Sequence, residues 1–271
     1  MDMTLSAPVR EPHTHRGHWR SVERVHRMSA ISRKLLRMQA VLLKPRCVLC
    51  DGPGLAAAAL DLCAGCYRDL PRLTDACAVC ARPAAGDGVI CGACQKTPPP
   101  FERVIAPYRY AWPIDKMIQQ FKFGGNLAMG RVLGRLLAHH LTGIRRLTSM
   151  PGAALTAPPI VVPVPLHRRR LWQRGFNQAT ELARTIGLIH PLAIRSGLCG
   201  RVRDTPAQSA MRAAERHKNV QKAFALRSKT VPERIVIIDD VMTTGSTCAE
   251  LARTFKSQGT RQVLAWCLAR A

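Results

Sequence analysis

From Ser21 to Leu43 apolar residues recur every three or four positions, at Val22, Val25, Met28, Ile31, Leu35, Met38 and Leu42. That spacing predicts a helix with one apolar stripe. Arg24, Arg27, Arg33, Lys34 and Arg37 fall largely off the stripe. Such a helix either docks on protein, its own chain or a second copy, or lies on an anionic membrane or polymer; docking is the expectation here. Pro45 ends it. Beyond position 100 the pattern changes. Strand candidates at 102–110, 160–165, 192–198, 234–239 and 262–268 alternate with helical periodicity at 114–122, 127–142, 176–187, 209–218 and 246–258. Strands alternating with helices predict an α/β domain, a parallel sheet with helices on its faces.

Two stretches carry neither period. Residues 1–20, with Pro8, Pro12, His13, His15, His18 and several Arg, read as a disordered basic tail. Thr97-Pro98-Pro99-Pro100 reads as a stiff linker. The chain of 271 residues thus divides into a tail at 1–20, an amphipathic helix at 21–44, a Cys-rich module at 45–96 and the α/β domain at 101–271. No apolar run is long enough to span a membrane, and Arg and His interrupt the start before an apolar leader could form, so a cytoplasmic protein is expected.

The module holds eight of the eleven Cys, as four C-x2-C pairs: Cys47/Cys50, Cys63/Cys66, Cys77/Cys80 and Cys91/Cys94. A C-x2-C turn points two thiolates at one ion, and tetrahedral zinc takes four, so the pairs predict two closed, structural zinc sites. A disulfide framework would need an oxidising compartment, for which the sequence gives no signal. The sites are either sequential, Cys47/Cys50/Cys63/Cys66 and Cys77/Cys80/Cys91/Cys94, or cross-braced from alternate pairs. The module has few large apolar residues, so metal would supply its folding energy. Cys199, Cys248 and Cys267 lie outside the pattern and are expected in the core.

Charge narrows the partners. Lys and Arg number 41 against 17 Asp and Glu, a net +24. Residues 1–46 carry +7, 47–100 carry −1 and 101–271 carry +18. An excess this large points to an anionic partner: nucleic acid, a membrane surface or a phosphorylated small molecule. Each zinc with four thiolates adds −2, so the ribbon is a poor phosphate-binding surface, and a scaffold or protein-contact role is expected of it. The basic excess sits on the tail, the first helix and the α/β domain.

The sharpest chemical signal is Ile235-Val-Ile-Ile-Asp-Asp-Val-Met-Thr-Thr-Gly-Ser-Thr247. Four consecutive β-branched residues predict a buried strand, with Asp239 and Asp240 at its C-terminal end and a helix starting near Ser246. Ligands of open α/β sheets sit beyond such strand ends, and a helix N-terminus binds phosphate. Gly245 lets backbone approach closely, while Thr243, Thr244, Ser246 and Thr247 add hydroxyls. The acids repel phosphate but accept hydrogen bonds from sugar hydroxyls and can help hold Mg2+. Phosphate on one side and a diol on the other describe a ribose 5-phosphate.

This segment resembles the phosphoribosyl pyrophosphate (PRPP) motif of type I phosphoribosyltransferases. By that resemblance Asp239 and Asp240 face the ribose hydroxyls and 243–247 cradles the 5-phosphate. Further segments follow in order: Phe121-Lys-Phe-Gly-Gly125, Val161 to Arg170 running into a basic turn, Arg174-Gly-Phe-Asn-Gln178, and Arg203-Asp-Thr-Pro-Ala-Gln208. With the eight Cys they resemble the ComF family of competence-protein-F-like phosphoribosyltransferases, across about residues 45–271. The resemblance implies a type I phosphoribosyltransferase-like sheet behind a double zinc ribbon. It implies PRPP with Mg2+ as ligand, and transfer of phosphoribose to an acceptor. The alternative it implies is a DNA-uptake accessory that binds single-stranded DNA or competence proteins.

Arg168, Arg169, Arg170 and Arg174 are candidates for the pyrophosphate. The polar stretch 203–219, with Arg203 and Arg216, is a candidate lid. No Cys follows Met1, so a self-contained glutamine-dependent amidotransferase is not expected. Trp112, Trp172, Phe176 and Trp266 are the candidate base-stacking aromatics, most of them expected in the core.

Overall fold

The structure is a computed structural model, and it describes residues 45–55, 60–84, 86, 88–143, 158–204 and 220–271. The expected tail, the amphipathic helix and the helical stretch 209–218 lie outside the described residues. In chain order the ribbon contributes two helical turns, α1 (Ala64–Arg68) and α2 (Gly92–Lys96). The body follows as β1 (Arg103–Ile105), β2 (Tyr108–Arg109), α3 (Ile114–Phe123), α4 (Leu127–Gly143), β3 (Ile160–Pro163), α5 (Arg168–Arg174) and α6 (Gln178–Ile189). It ends with β4 (Ala193–Ile194), β5 (Cys199–Arg201), β6 (Phe224–Leu226), β7 (Arg234–Met242), α7 (Ser246–Lys256) and β8 (Gln262–Arg270).

Ile235, Val236, Ile237 and Ile238 are fully buried. A strand apolar on both faces belongs at the centre of a parallel sheet, and β7 lies there, between β8 and β3. The order is β1-β8-β7-β3-β4, with β2 also on β8, and every pair is parallel. From β3 the chain moves outward to β4, then returns to β7 and proceeds to β8 on the other side. The reversal makes the C-terminal ends of β3 and β7 the topological switch point, where such sheets leave a crevice.

Helices cover the sheet and pack closely on one another. A Cβ added at Gly134 of α4 would lie 2.6 Å from Thr185 Cβ of α6, so only glycine permits this approach. Asn177 caps α6: its Oδ1 accepts from Ala179 N (2.9 Å), and its Nδ2 donates to the Val164 carbonyl just past β3 (2.9 Å). The cap therefore also ties α6 to the strand end that borders the crevice.

Four expectations are corrected. The strand 102–110 is two pieces, β1 and β2, broken at Ala106-Pro107, where proline has no N–H to give to a ladder. The strand 192–198 shrinks to the two-residue edge strand β4, and β5 follows separately to form an antiparallel pair with β6 off the main sheet. The strand 234–239 continues through the acids to Met242. The basic turn after Val161–Pro165 is a helix, α5, which stops at Gly175 with φ +80°.

The two ribbon knuckles repeat one geometry. Cys47 N donates to the Gly52 carbonyl and Cys77 N to the Arg82 carbonyl, both at 2.8 Å. Asp51 and Ala81 take positive φ, 60° and 53°, at equivalent places. The ribbon is anchored to the sheet through Val104 N, which donates to the Val79 carbonyl at 2.8 Å.

Candidate functional site

The thiols gather into two groups of four, Cys47/Cys50/Cys63/Cys66 and Cys77/Cys80/Cys91/Cys94, with the sulfur atoms of each within 4.8 Å of one another. The pairing is therefore sequential. Zinc with sulfur ligands at about 2.3 Å in a tetrahedron sets sulfurs about 3.8 Å apart. Cys50 Sγ to Cys63 Sγ is 3.6 Å and Cys80 Sγ to Cys91 Sγ is 3.7 Å, so both groups fit that ion. Backbone N–H groups support the sulfurs: Cys66 N donates to Cys63 Sγ (3.4 Å) and Cys91 N to Cys77 Sγ (3.3 Å). Four protein ligands would leave such an ion no open position, the arrangement of a structural site. Cys199, Cys248 and Cys267 are buried as expected. Burial pushes the Cys199 and Cys267 thiols up to about 12, so they stay protonated and unreactive.

The crevice at the switch point is a cavity of about 1190 Å³. Its lining includes Asp239, Asp240, Thr243, Thr244 and Thr247 together with Arg170, Arg174 and Arg201. Gly245 adopts φ +82° to turn the chain from strand into α7. Thr244 and Ser246 hydroxyls lie 2.7 Å apart, and Ser246 N donates to Thr244 Oγ1 (3.3 Å). The first turn of α7 holds no acid. Its N-terminal end thus keeps its partial positive charge for an anion. Gly245 and Ser246 shape the loop without lining the cavity.

The acids are held by their own backbone. Asp239 Oδ1 accepts from Asp240 N (2.9 Å), and Asp240 Oδ1 accepts from Val241 N (2.7 Å). Lys122 of α3 brings Nζ to 2.7 Å from Asp240 Oδ2. The Asp240 side chain is only 8% exposed. Burial, then the neighbouring Asp240 charge, raises the Asp239 carboxyl to about 7, with Lys122 pulling the other way. Burial works against the Lys122 ammonium, but Asp240 and Asp239 more than offset it and its pKa rises. Burial lowers the pKa of Arg174, opposed by Asp240 and assisted by Arg170.

Three of the four carboxylate oxygens of the pair thus have partners, leaving at most Asp239 Oδ2. Among the described residues the only groups of three or more potential metal ligands are the two Cys sets. The pair does not fit a free-standing Mg2+ site, which wants several open oxygens in near-octahedral array.

The basic residues separate. Arg170 and Arg174 reach the cavity; Arg168 and Arg169 do not, because α5 points them elsewhere. Arg169 instead pairs loosely with Asp204, at 3.5 Å, on the surface. Arg203 Nη1 donates to the Gln221 carbonyl at 2.6 Å, outside the cavity. Arg216 lies outside the described residues. Sequence reasoning missed Lys122 and Arg201 as site residues, and missed Arg82, which the second zinc knuckle contributes to the lining. A Lys beside a glycine pair at the end of an amphipathic helix was the available signal for Lys122. Trp266 is in the core at 5% exposure, but Trp112 and Trp172 stand out at 70% and 87%, against expectation. Phe123, also exposed, lines the cavity, with the Arg174 guanidinium 5.5 Å from its ring centre.

Fold and site define a class: a parallel α/β protein with a hydroxyl-rich strand–loop–helix below an acid pair, joined to a ribbon with two four-cysteine groups. Residues 38–95 match the family model described as "Double zinc ribbon domain". The chain is 36% identical over 224 residues to "DNA utilization protein YhgH" of Salmonella typhimurium, covering 83% of this chain and 96% of that protein. It is 31% identical over 229 residues to "Competence protein F" of Haemophilus influenzae, covering 83% and 97%. "Competence protein ComFC" of Streptococcus pneumoniae is 24% identical over 165 residues, covering 61% and 67%. The chain belongs to the ComF (competence protein F) family. No helix among the described residues is long and apolar enough to cross a membrane.

Proposed function

We propose that the cleft binds PRPP or a related ribose 5-phosphate and that the chain transfers phosphoribose from it to a nitrogen acceptor. One observation carries this reading: Asp239 and Asp240 share a cavity with Thr243, Thr244 and Thr247 at the switch point of a parallel sheet. The threonine hydroxyls and the first N–H groups of α7 take the 5-phosphate. The acids accept from the ribose hydroxyls. Arg170 and Arg174 face the pyrophosphate. The bond from C1 of the ribose to the pyrophosphate oxygen breaks, its electron pair leaving with the pyrophosphate, and the acceptor nitrogen bonds to C1 and gives up its proton to the departing pyrophosphate or to water. The cationic side chains stabilise the charge that grows on the leaving group. Mg2+ belongs to the ligand in this reading, carried in on the polyphosphate. The test is pyrophosphate release from Mg2+·PRPP against a panel of purine and pyrimidine bases and ammonia. Base-dependent release that Asp239→Ala plus Asp240→Ala abolishes supports transfer; release with no acceptor on the panel limits the reading to binding.

A second reading has its own support. The relatives' names speak of DNA utilization and competence. The α/β section carries +18, far more than one polyphosphate needs. Trp112, Trp172 and Phe123 offer exposed rings on which bases can stack. In this reading the chain serves DNA uptake by holding single-stranded DNA or competence proteins. Affinity for single-stranded DNA measured against salt decides it. Nanomolar binding with a steep salt slope at physiological salt favours DNA handling; weak, length-independent binding favours the enzyme.

A further inference from the structure

The Lys122–Asp240 contact separates this cleft from an open carboxylate site. Asp240 is a buried acid, and a buried carboxylate left without a cationic partner is strongly unfavourable. That cation is Lys122, 2.7 Å away. Lys122 comes from α3, where Ile114, Met117, Ile118 and Phe121 are buried and fix the helix on the sheet. The helix ends at Gly124, and Gly125 takes φ +61°, so Lys122 sits on the last turn before a glycine turn at the cavity rim. The residue is partly buried, and its ammonium lies among the charges of Asp240 and Asp239. Arg174, on α5, also acts on Asp240, and Arg201 acts on Asp239.

We infer that Lys122 is a built-in counter-ion that closes the Asp239–Asp240 pair to free divalent cations, so that metal enters the cleft only as part of an anionic ligand. Without ligand, a divalent ion must displace an ammonium already in place and also find its other oxygens elsewhere. A ribose diol, in contrast, brings neutral donors to the carboxylates, while the ligand's phosphates offer the ammonium a new partner. Lys122 is then a positioning residue: it keeps the acids empty until the group that releases them arrives. The second half of this inference rests on the ligand reading above; the first half does not.

The probe is Mn2+ alone, followed by electron paramagnetic resonance on zinc-loaded full-length protein without ligand. The wild type is expected to take up no stoichiometric Mn2+ at millimolar concentration. Lys122→Met is expected to gain one Mn2+ per chain with affinity raised about tenfold or more. Asp240→Asn in the Lys122→Met background is expected to abolish that gain. Lys122→Arg keeps the charge and stays closed. Lys122→Gln, which removes the charge and keeps a polar head, opens the site and replaces Lys122→Met should that variant not fold. A wild-type Mn2+ site that Asp240→Asn removes overturns the inference, and so do folded Lys122→Met and Lys122→Gln proteins that gain no ion. Titration with PRPP is scored separately: a protein that excludes Mn2+ and also fails to bind PRPP contradicts the ligand reading and leaves the closure by Lys122 standing.

Discussion

Arg270 donates through Nε to the carbonyl oxygen of Cys80, 3.0 Å away and 190 positions earlier in the chain. The same guanidinium donates through Nη1 to the Met242 carbonyl (2.8 Å) and to the Thr243 carbonyl. One buried side chain at the end of β8 thus links the second zinc knuckle to the start of the hydroxyl loop. The ribbon is built into the cleft: its knuckle holds the loop through Arg270 and adds Arg82 to the lining.

Arg270→Met keeps the bulk and removes the donors. The Cys80 and Thr243 carbonyls then lose this donor, at about 1–3 kcal/mol for a group left unsatisfied, while the Met242 carbonyl keeps the Ala271 N–H. The expected outcome is lower stability to urea, together with weaker binding of ribose 5-phosphate. A variant of unchanged stability contradicts the linkage.

Elemental analysis of anaerobically prepared protein is expected to give two zinc ions per chain. Cys50→Ser and Cys80→Ser each leave one. Because Cys80 shares its knuckle with the loop contact, Cys80→Ser is expected to weaken ligand binding more than Cys50→Ser. Equal effects contradict the coupling, and a metal-free wild type contradicts the zinc sites.

Ala81 follows a zinc ligand with φ +53°, a left-handed conformation that favours glycine. Ala81→Gly relieves about 1 kcal/mol of steric cost, partly returned through the greater freedom of the unfolded chain. The zinc-loaded variant is expected to melt at the same temperature as wild type or a few degrees higher. A substantial drop contradicts the backbone assignment.

Asp239 supplies a pH dependence. Its carboxyl titrates near 7 in the folded chain against 3.8 for an ordinary aspartate, raised by burial first and by Asp240 second. Between those values the folded state holds more protons than the unfolded one, so this group's contribution to stability falls as pH rises through the window. Asp239→Asn cannot titrate. Its stability relative to wild type is expected to improve steadily from about pH 4 to about pH 7 and then level off. A constant difference across that range contradicts the raised carboxyl.

The parallel sheet and the acid–hydroxyl segment were legible because each is written contiguously. Ile235–Ile238 names the central strand, and nine residues further on Thr247 has completed the loop. The zinc ligands were legible from spacing, though only the fold settled their sequential pairing. Lys122 showed only as part of the Phe121–Gly125 segment, without its role, and Arg82 and Arg270 were not legible, since what all three do depends on partners far away in the chain. The separation of Arg168 and Arg169 from the cavity has a geometric cause. In a helix Arg170 and Arg174, four apart, share a face, and their neighbours at 168 and 169 are turned away. A reading of that stretch as an irregular turn could not separate them. Trp172 rides on the same short helix, which buries none of its residues, so an aromatic expected in the core ends in solvent.

The central claim is that the cleft below β7 is a ribose 5-phosphate site, and calorimetric titration of zinc-loaded protein with Mg2+·PRPP tests it most directly. Saturable binding at one site per chain, strongly weakened by Asp239→Ala plus Asp240→Ala, is the predicted result. No heat of binding to folded wild-type protein, or full binding by the double variant, would contradict it.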